Sequence, residues 1–294
     1  MSPALAATAA DRPGRTRLIG MTIVAAEADV RAVGQAGTWP PSTPSGSKPR
    51  CVARVDSPRL VGVTEGTRGL WRDALESLPP MTDHHSAEGA LLRDGWVPSG
   101  VGDWAIALRS PEGTVAARIS PFDPTGPYTA ALYTQAAATR QVPRFLAHRR
   151  LDGGGDLQFM EWLEPTGEDE AVAFQRAISD AAPGFTELAT VIRHVHEQAC
   201  RELPWCGPVD TNPANVMRAA DGRIVVTDLF YADGPNLYAT AWSDPDLIVA
   251  RIAEHERRFM TEIPTAHTGP WDNGTREEMR DLLRAADARR AANS

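Results

Sequence analysis

The sequence predicts an α+β protein, with a small β-rich lobe followed by a mainly helical one, behind a leader that has no core of its own. Residues 1 to about 80 are rich in Ala, Pro, Gly, Ser and Thr, centred on TWPPSTPSGSKP at 38–49, and lack the periodic apolar residues that a core requires. From Ser86 onward, short alternating apolar runs bounded by Gly and Pro predict strands. Beyond about residue 164 the apolar spacing becomes helical.

The leader, residues 1–80, is therefore read as disordered, and residues 81–294 as one domain with a small lobe over about 86–163 and a larger lobe over about 164–294. Within the leader, RTRLIGMTIVAA (15–26) starts basic, but Gly20 interrupts its apolar run and no small-residue cleavage site follows, so it is not read as a signal peptide. In the small lobe, Ser86 to Arg93 reads as a short helix. WAIALRS (104–110) and TVAARIS (114–120) flank PEG as two strands of a hairpin. PYTAALYTQAAATR (127–140) is a helix with Pro127 in its first turn, and VPRFLAH and DLQFMEWLEP (156–165) are further strands.

The larger lobe opens with two helices, EDEAVAFQRAISDA and FTELATVIRHVHEQACREL. The second places Phe185, Leu188, Ala189, Ile192 and Val195 at helical spacing. The Asp221-Gly222 dipeptide between NVMRA and RIVVTDLF is a hairpin signal, and the chain from Asp244 onward is mostly helical.

Composition excludes several functions. A net charge of -8 with no stripe of Lys or Arg argues against nucleic acid as a partner. No apolar run approaches the roughly 20 residues that span a bilayer, so no membrane association is expected. Cys51, Cys200 and Cys206 form no CxxC pair and leave an odd thiol, which fits a reducing, cytoplasmic setting. His194, His196 and Cys200 share one helix and are read as a solvated face with a buried Cys; no fourth ligand is evident, and no zinc is assigned. The scattered tryptophans read as core or pocket wall.

The chemistry is concentrated in PVDTNPANVM (208–217) and RIVVTD (223–228). Asp210 and Asn215 stand in the order D-x-x-x-x-N, a spacing that lets a carboxylate face a substrate while an amide oxygen turns toward a metal. Asp228 follows 13 residues later at the end of an apolar strand, which can hold a second oxygen ligand beside Asn215. Upstream, Gly100 and Gly102 in PSGVGDWAIAL (98–108) let backbone N–H groups approach phosphate oxygens without Cβ obstruction.

Together these segments resemble the protein-kinase-like fold, and most closely its aminoglycoside phosphotransferase or small-molecule kinase branch, where the catalytic loop reads HGDxHPxNxL and the metal strand IDF or IDW. The resemblance implies a two-lobed enzyme that uses ATP and Mg²⁺ in the cleft between its lobes. Asp210 falls on the catalytic base, Pro213 on the loop proline, and Asn215 and Asp228 on the metal ligands. Gly100, Gly102 and Arg118 would contact the nucleotide phosphates, while the backbone from Glu161 to Leu163 would receive adenine. IRHVHE resembles the family's LxxLH segment. SDPDLIVARI resembles its DPxxDLA helix start, with Asp246 as the aspartate that braces the catalytic loop. Pro208 and Val209 precede Asp210 where regulated protein kinases carry Arg, and no APE-like motif follows Asp228, so a small hydroxylated substrate is favoured over a protein.

The pattern also breaks. Arg118 stands where the family has a lysine, and the chain contains no lysine after Lys48 that could replace it. The helix at 127–140 carries no acidic residue to pair with it, and Asp123 just before that helix looks a poor substitute. The family's His before Asp210 is missing, and the span from Glu161 to Asp210 is short for an antibiotic phosphotransferase. Two functions stay open: a phosphotransferase acting on an alcohol, with an altered phosphate clamp, or a pseudokinase that binds nucleotide or a protein partner.

Overall fold

A computed structural model describes residues 69–263 and 272–293, so the expectations for residues 1–68 lie outside the described residues. The α+β class holds. The small lobe contains helices α1 (Leu70–Ser77) and α2 (His84–Arg93), strands β1 (Val97–Val101), β2 (Ile106–Arg109) and β3 (Val115–Ser120), helix α3 (Gly126–Gln135), and strands β4 (Phe145–Arg150) and β5 (Asp156–Glu161). Its five strands form one antiparallel sheet in the order β1-β2-β3-β5-β4.

Strand β5 explains how this sheet is covered. It lies between β3 and β4 and is buried at every position but the last, so neither of its faces can be polar without a partner. Leu157 and Phe159 point to one side, into a core shared with Trp71, Leu91, Trp96 and Leu108. Met160, on the opposite face, belongs to the interlobe core with Leu132 and Tyr133 of α3. Only the end of the leader expected over 1–80 is corrected here: α1 buries Trp71 and Ala74, and Leu78 just beyond it, in the small-lobe core, so residues 70–78 are part of the fold.

The chain leaves the small lobe at Trp162 and enters a second sheet of β6 (Leu163–Pro165), β7 (Val216–Ala219) and β8 (Ile224–Val226). Leu163 is paired with Ala219 in the first register position of that sheet. The predicted Asp221-Gly222 turn joins β7 to β8, with Gly222 at φ 84°, a conformation that glycine adopts without steric cost. Between β6 and β7 run α4 (Glu168–Ser179) and α5 (Thr186–Glu202), and α5 buries Leu188, Ala189, Ile192 and Val195 as its periodicity predicts.

Helices α6 (Gly234–Ser243), α7 (Pro245–Arg251), α8 (Glu254–Arg257) and α9 (Asn273–Ala292) complete the larger lobe. Asp233, Asp244 and Asp272 cap α6, α7 and α9, each accepting a hydrogen bond from the backbone N–H three residues on. The C-terminal segment then returns to the small lobe. Arg150 of β4 donates to Glu256 at 2.7 Å, and a Cβ on Gly154 would lie 2.0 Å from the Glu256 carbonyl oxygen, so only glycine permits that approach. Among the described residues, no helix is long and apolar enough to cross a membrane.

Candidate functional site

The site is built on the contact between two chain segments. Asp210 N–H donates to the Leu229 carbonyl at 2.9 Å and Gly207 N–H to the Tyr231 carbonyl at 2.9 Å, so the loop at 207–212 lies alongside the strand exit at 228–231. Asn212 accepts the Ala214 N–H at 3.0 Å and starts the 3-10 turn Pro213–Asn215, with Pro213 preset for its first position. That turn swings Asn215 inward, where it is 4% exposed.

Asn215 then ties the three motif residues together. Its Nδ2 donates to Asp210 Oδ2 at 2.9 Å and to the Asp228 carbonyl at 3.2 Å, which leaves the amide oxygen as the atom able to face a cation. Asp210 Oδ1 accepts the Asn212 N–H at 2.9 Å and fixes the carboxylate in one orientation. Asp228 sits in the left-handed region at φ 45°, a conformation uncommon for an aspartate, and its N–H donates to the Tyr133 hydroxyl at 3.2 Å. Asn215 and Asp228 therefore offer the hard oxygen donors that Mg²⁺ prefers.

Arg118 faces this group from β3, where it is paired with Ala107 of β2 and Gln158 of β5. One terminal nitrogen donates to Asp123 Oδ2 at 2.8 Å, and Nε lies 3.2 Å from Asp228 Oδ1. The second contact is ionic, since Nε has no aligned hydrogen-bond acceptor. Asp123 is thus a close partner of Arg118, which corrects the expectation that it substitutes poorly for a helix glutamate. Asp123 also accepts from the Thr125 N–H at 3.0 Å and the Thr125 hydroxyl at 2.8 Å.

The two carboxylates respond differently to the same cation. Burial opposes charging of Asp123, but the Arg118 ion pair and its hydrogen bonds outweigh this and hold its pKa below the usual carboxylate range. Burial raises the pKa of Asp228, and although Arg118 opposes that rise, Asp123 and Asp210 reinforce it. Burial also works against the Arg118 charge, yet Asp228 and Asp123 hold the guanidinium charged.

A cleft of about 360 Å³ is lined by Gly102, Asp103, Arg118, Asp123, Asp210 and Asp228, among others. Arg118 and Asp228 also line an adjoining apolar slot with Ala116, Met160, Glu161 and Leu163. The slot measures about 60 Å³, room for only a handful of waters at roughly 10–15 Å³ each. The cleft and slot thus bring Gly102, Arg118, Glu161, Leu163, Asp210, Asn215 and Asp228 to one region. Gly100 stands apart, paired with Ala107 within β1 where the register shifts.

Two further assignments need revision. Asp246 does not brace the loop at 207–212; its side chain is 57% exposed and pairs with Arg289 of α9 at 2.9 Å. Glu161 uses its side chain away from the slot, accepting from Arg223 at 2.6 and 2.8 Å and from the Arg144 N–H at 2.7 Å, so its contribution to the slot is its backbone.

Trp104, one of the tryptophans read as core or pocket wall, lines the cleft, and Tyr133 is a site residue that sequence reasoning missed. Trp104 follows the glycine turn, in which Gly102 N–H donates to the Ala105 carbonyl at 2.8 Å. Its ring stacks on Tyr238 of α6 at a 6.4 Å centroid distance and leans on Phe122, holding the glycine loop to the larger lobe. Asp103 beside it, directly after Gly102, was the available signal for a carboxylate at the cleft mouth.

No family model and no curated protein matches the sequence. Among solved structures, choline kinase LicA from Streptococcus pneumoniae is matched at 9% identity and a TM-score of 0.22, over 65% of this chain and 82% of that one.

Proposed function

We propose that this protein is a phosphotransferase that binds ATP with Mg²⁺ and phosphorylates a hydroxyl of a small molecule. The observation that carries this reading is the hydrogen-bonded unit of Asp210, Asn215 and Asp228 opposite Arg118, open to a cleft that adjoins an apolar slot. Asp210 orients the acceptor hydroxyl and takes its proton, since its carboxylate is held by Asn212 and Asn215 and lines the cleft. Asn215 and Asp228 hold Mg²⁺, whose role when bound is to neutralise the phosphate charge. Arg118 contacts phosphate through guanidinium donors beyond those given to Asp123, and Gly102 leaves space for backbone N–H donors. The backbone from Glu161 to Leu163 receives adenine between Ala116, Met160 and Met217, a slot that must widen from its about 60 Å³ to admit the ring.

A thermal-shift titration with ATP, with and without Mg²⁺, tests nucleotide binding, because a ligand of the native state raises Tm by mass action. The expected result is a Mg²⁺-dependent rise; no shift in either condition rejects the nucleotide site. ATP turnover with a panel of small alcohols then tests catalysis. Asp210→Ala should lower kcat by about 100-fold or more while keeping the nucleotide shift.

A second reading, a pseudokinase that binds nucleotide or a protein partner without efficient transfer, is favoured by one observation. Arg118 already engages Asp228, the carboxylate that Mg²⁺ requires. Nucleotide binding with turnover equal in wild type and Asp210→Ala would select this reading.

A further inference from the structure

Just before the catalytic loop, the fold gathers a group of His and Cys side chains able to ligate a soft metal. His196 and Cys200 are one turn apart on α5 and so share a face. The chain turns at Leu203 to Trp205 and returns Cys206 to the same spot, where a β-bridge to Ala232 anchors it. One ligand atom from each of the three residues lies within 4.8 Å of the other two. The helix offers two ligands, and the turn after it adds the third.

We propose that His196, Cys200 and Cys206 form a zinc site that joins the end of α5 to the segment entering the catalytic loop. Zinc legs of about 2.3 Å to sulfur and 2.0 Å to nitrogen, set at a tetrahedral angle, separate the ligand atoms by roughly 3.5 Å. Cys200 Sγ lies 3.5 Å from His196 Nε2 and 3.9 Å from Nδ1, so modest side-chain rotation would suffice. The outer contact selects the ligating nitrogen. His196 Nε2 donates to the Gly207 carbonyl at 2.8 Å, so ligation through Nδ1 would keep that bond, as metal-ligating histidines commonly do through their second nitrogen.

The donor set differs from that of the cleft. Two sulfurs and an imidazole select zinc over Mg²⁺, whereas Asp210, Asn215 and Asp228 offer oxygen and amide donors only. Cys200 is exposed, so the fourth tetrahedral position opens to water. Zinc binding replaces a proton on each thiol with a Zn–S bond, releases two protons and changes no oxidation state. The bound metal would stiffen the chain between Cys206 and Asp210 without entering the cleft.

The test uses the full chain without a polyhistidine tag, kept reduced and purified without chelators. Elemental analysis should find about one zinc per chain. After chelator stripping, titration with Zn²⁺ alone should restore it, and Co²⁺ should give a thiolate-to-cobalt charge-transfer band. C200S and C206S should each bind Zn²⁺ at least ~10-fold more weakly, with circular dichroism unchanged, and the double variant should lose the cobalt band. A protein that binds no zinc, a Cys200–Cys206 disulfide in the freshly reduced chain, or equal zinc binding by wild type and the double variant would each overturn the proposal. The last result would move the metal to His84, His85 and Glu262, a second group whose ligand atoms converge.

Discussion

The two walls of the cleft are built by different means. On the larger-lobe wall, Asp210, Asn215 and Asp228 come from two short segments and hold one another directly, through hydrogen bonds of 2.9 and 3.2 Å. On the small-lobe wall, Arg118 depends on Asp123, Asp123 depends on Thr125, and the glycine loop depends on Trp104 reaching Tyr238 of the other lobe. The first wall is held together within one lobe, whereas the second is completed only when Arg118 meets Asp228 and Trp104 meets Tyr238 across the lobes. A cation on the second wall is also shared with a carboxylate of the first, so the two are not independent.

The largest effect should come from breaking the Arg118 to Asp123 pair. Both side chains are largely buried, at 14% and 6% exposed, and removing one partner strands the other charge. Asp123→Asn should cost about 3 kcal/mol of unfolding free energy, measured by urea denaturation at pH 7. Because folding depresses the pKa of Asp123, its stabilising contribution is present above the unfolded carboxyl value near 3.9 and is lost as pH falls below it. The cost of the substitution should therefore fade in acid, and an equal cost at all pH values would refute the ion-pair assignment.

Trp104→Ala should cost less, about 2 kcal/mol, because the half-buried ring gives up stacking but leaves no buried charge. It should also free the glycine loop. Faster hydrogen exchange at residues 100–105 would show that the ring holds the lobes together there, whereas unchanged exchange would show that the loop is held elsewhere.

The smallest effect should carry the opposite sign. Folding raises the pKa of Asp228, so its contribution to stability is greatest in acid and declines as pH rises through the folded pKa. Charged Asp228 is thus a burden at pH 7, and Asp228→Asn should raise Tm by on the order of 1–2 °C, with the gain vanishing at low pH. It should at the same time abolish Mg²⁺-dependent nucleotide binding. A fall in Tm would mean that Arg118 stabilises Asp228 more than burial opposes it.

Local patterning gave direct access to the elements built from neighbouring residues. The Asp221-Gly222 hairpin, the apolar stripe of α5 and the ordered loop from Asp210 to Asn215 each follow from spacing, turn chemistry and proline placement within a few residues. Helix α1 escaped because its leader neighbours mask an eight-residue amphipathic stretch, and β1 because Pro98 and Gly100 are poor strand formers that pairing with β2 overrides. Asp246 misled because an aspartate before an apolar helix can cap, pair or brace, and only its neighbours decide which.

By itself, then, the sequence determined the α+β class, the three motif residues of the larger-lobe wall and the absence of a lysine for the phosphate clamp. Tertiary structure decided that Arg118 reaches Asp228 as well as nearby Asp123, and that Trp104 anchors the glycine loop to Tyr238. The physical reason is distance along the chain. Spacing and turn propensity act over a few residues, whereas a buried charge or a soft ligand takes its role from whichever side chain folding places within a few ångströms of it.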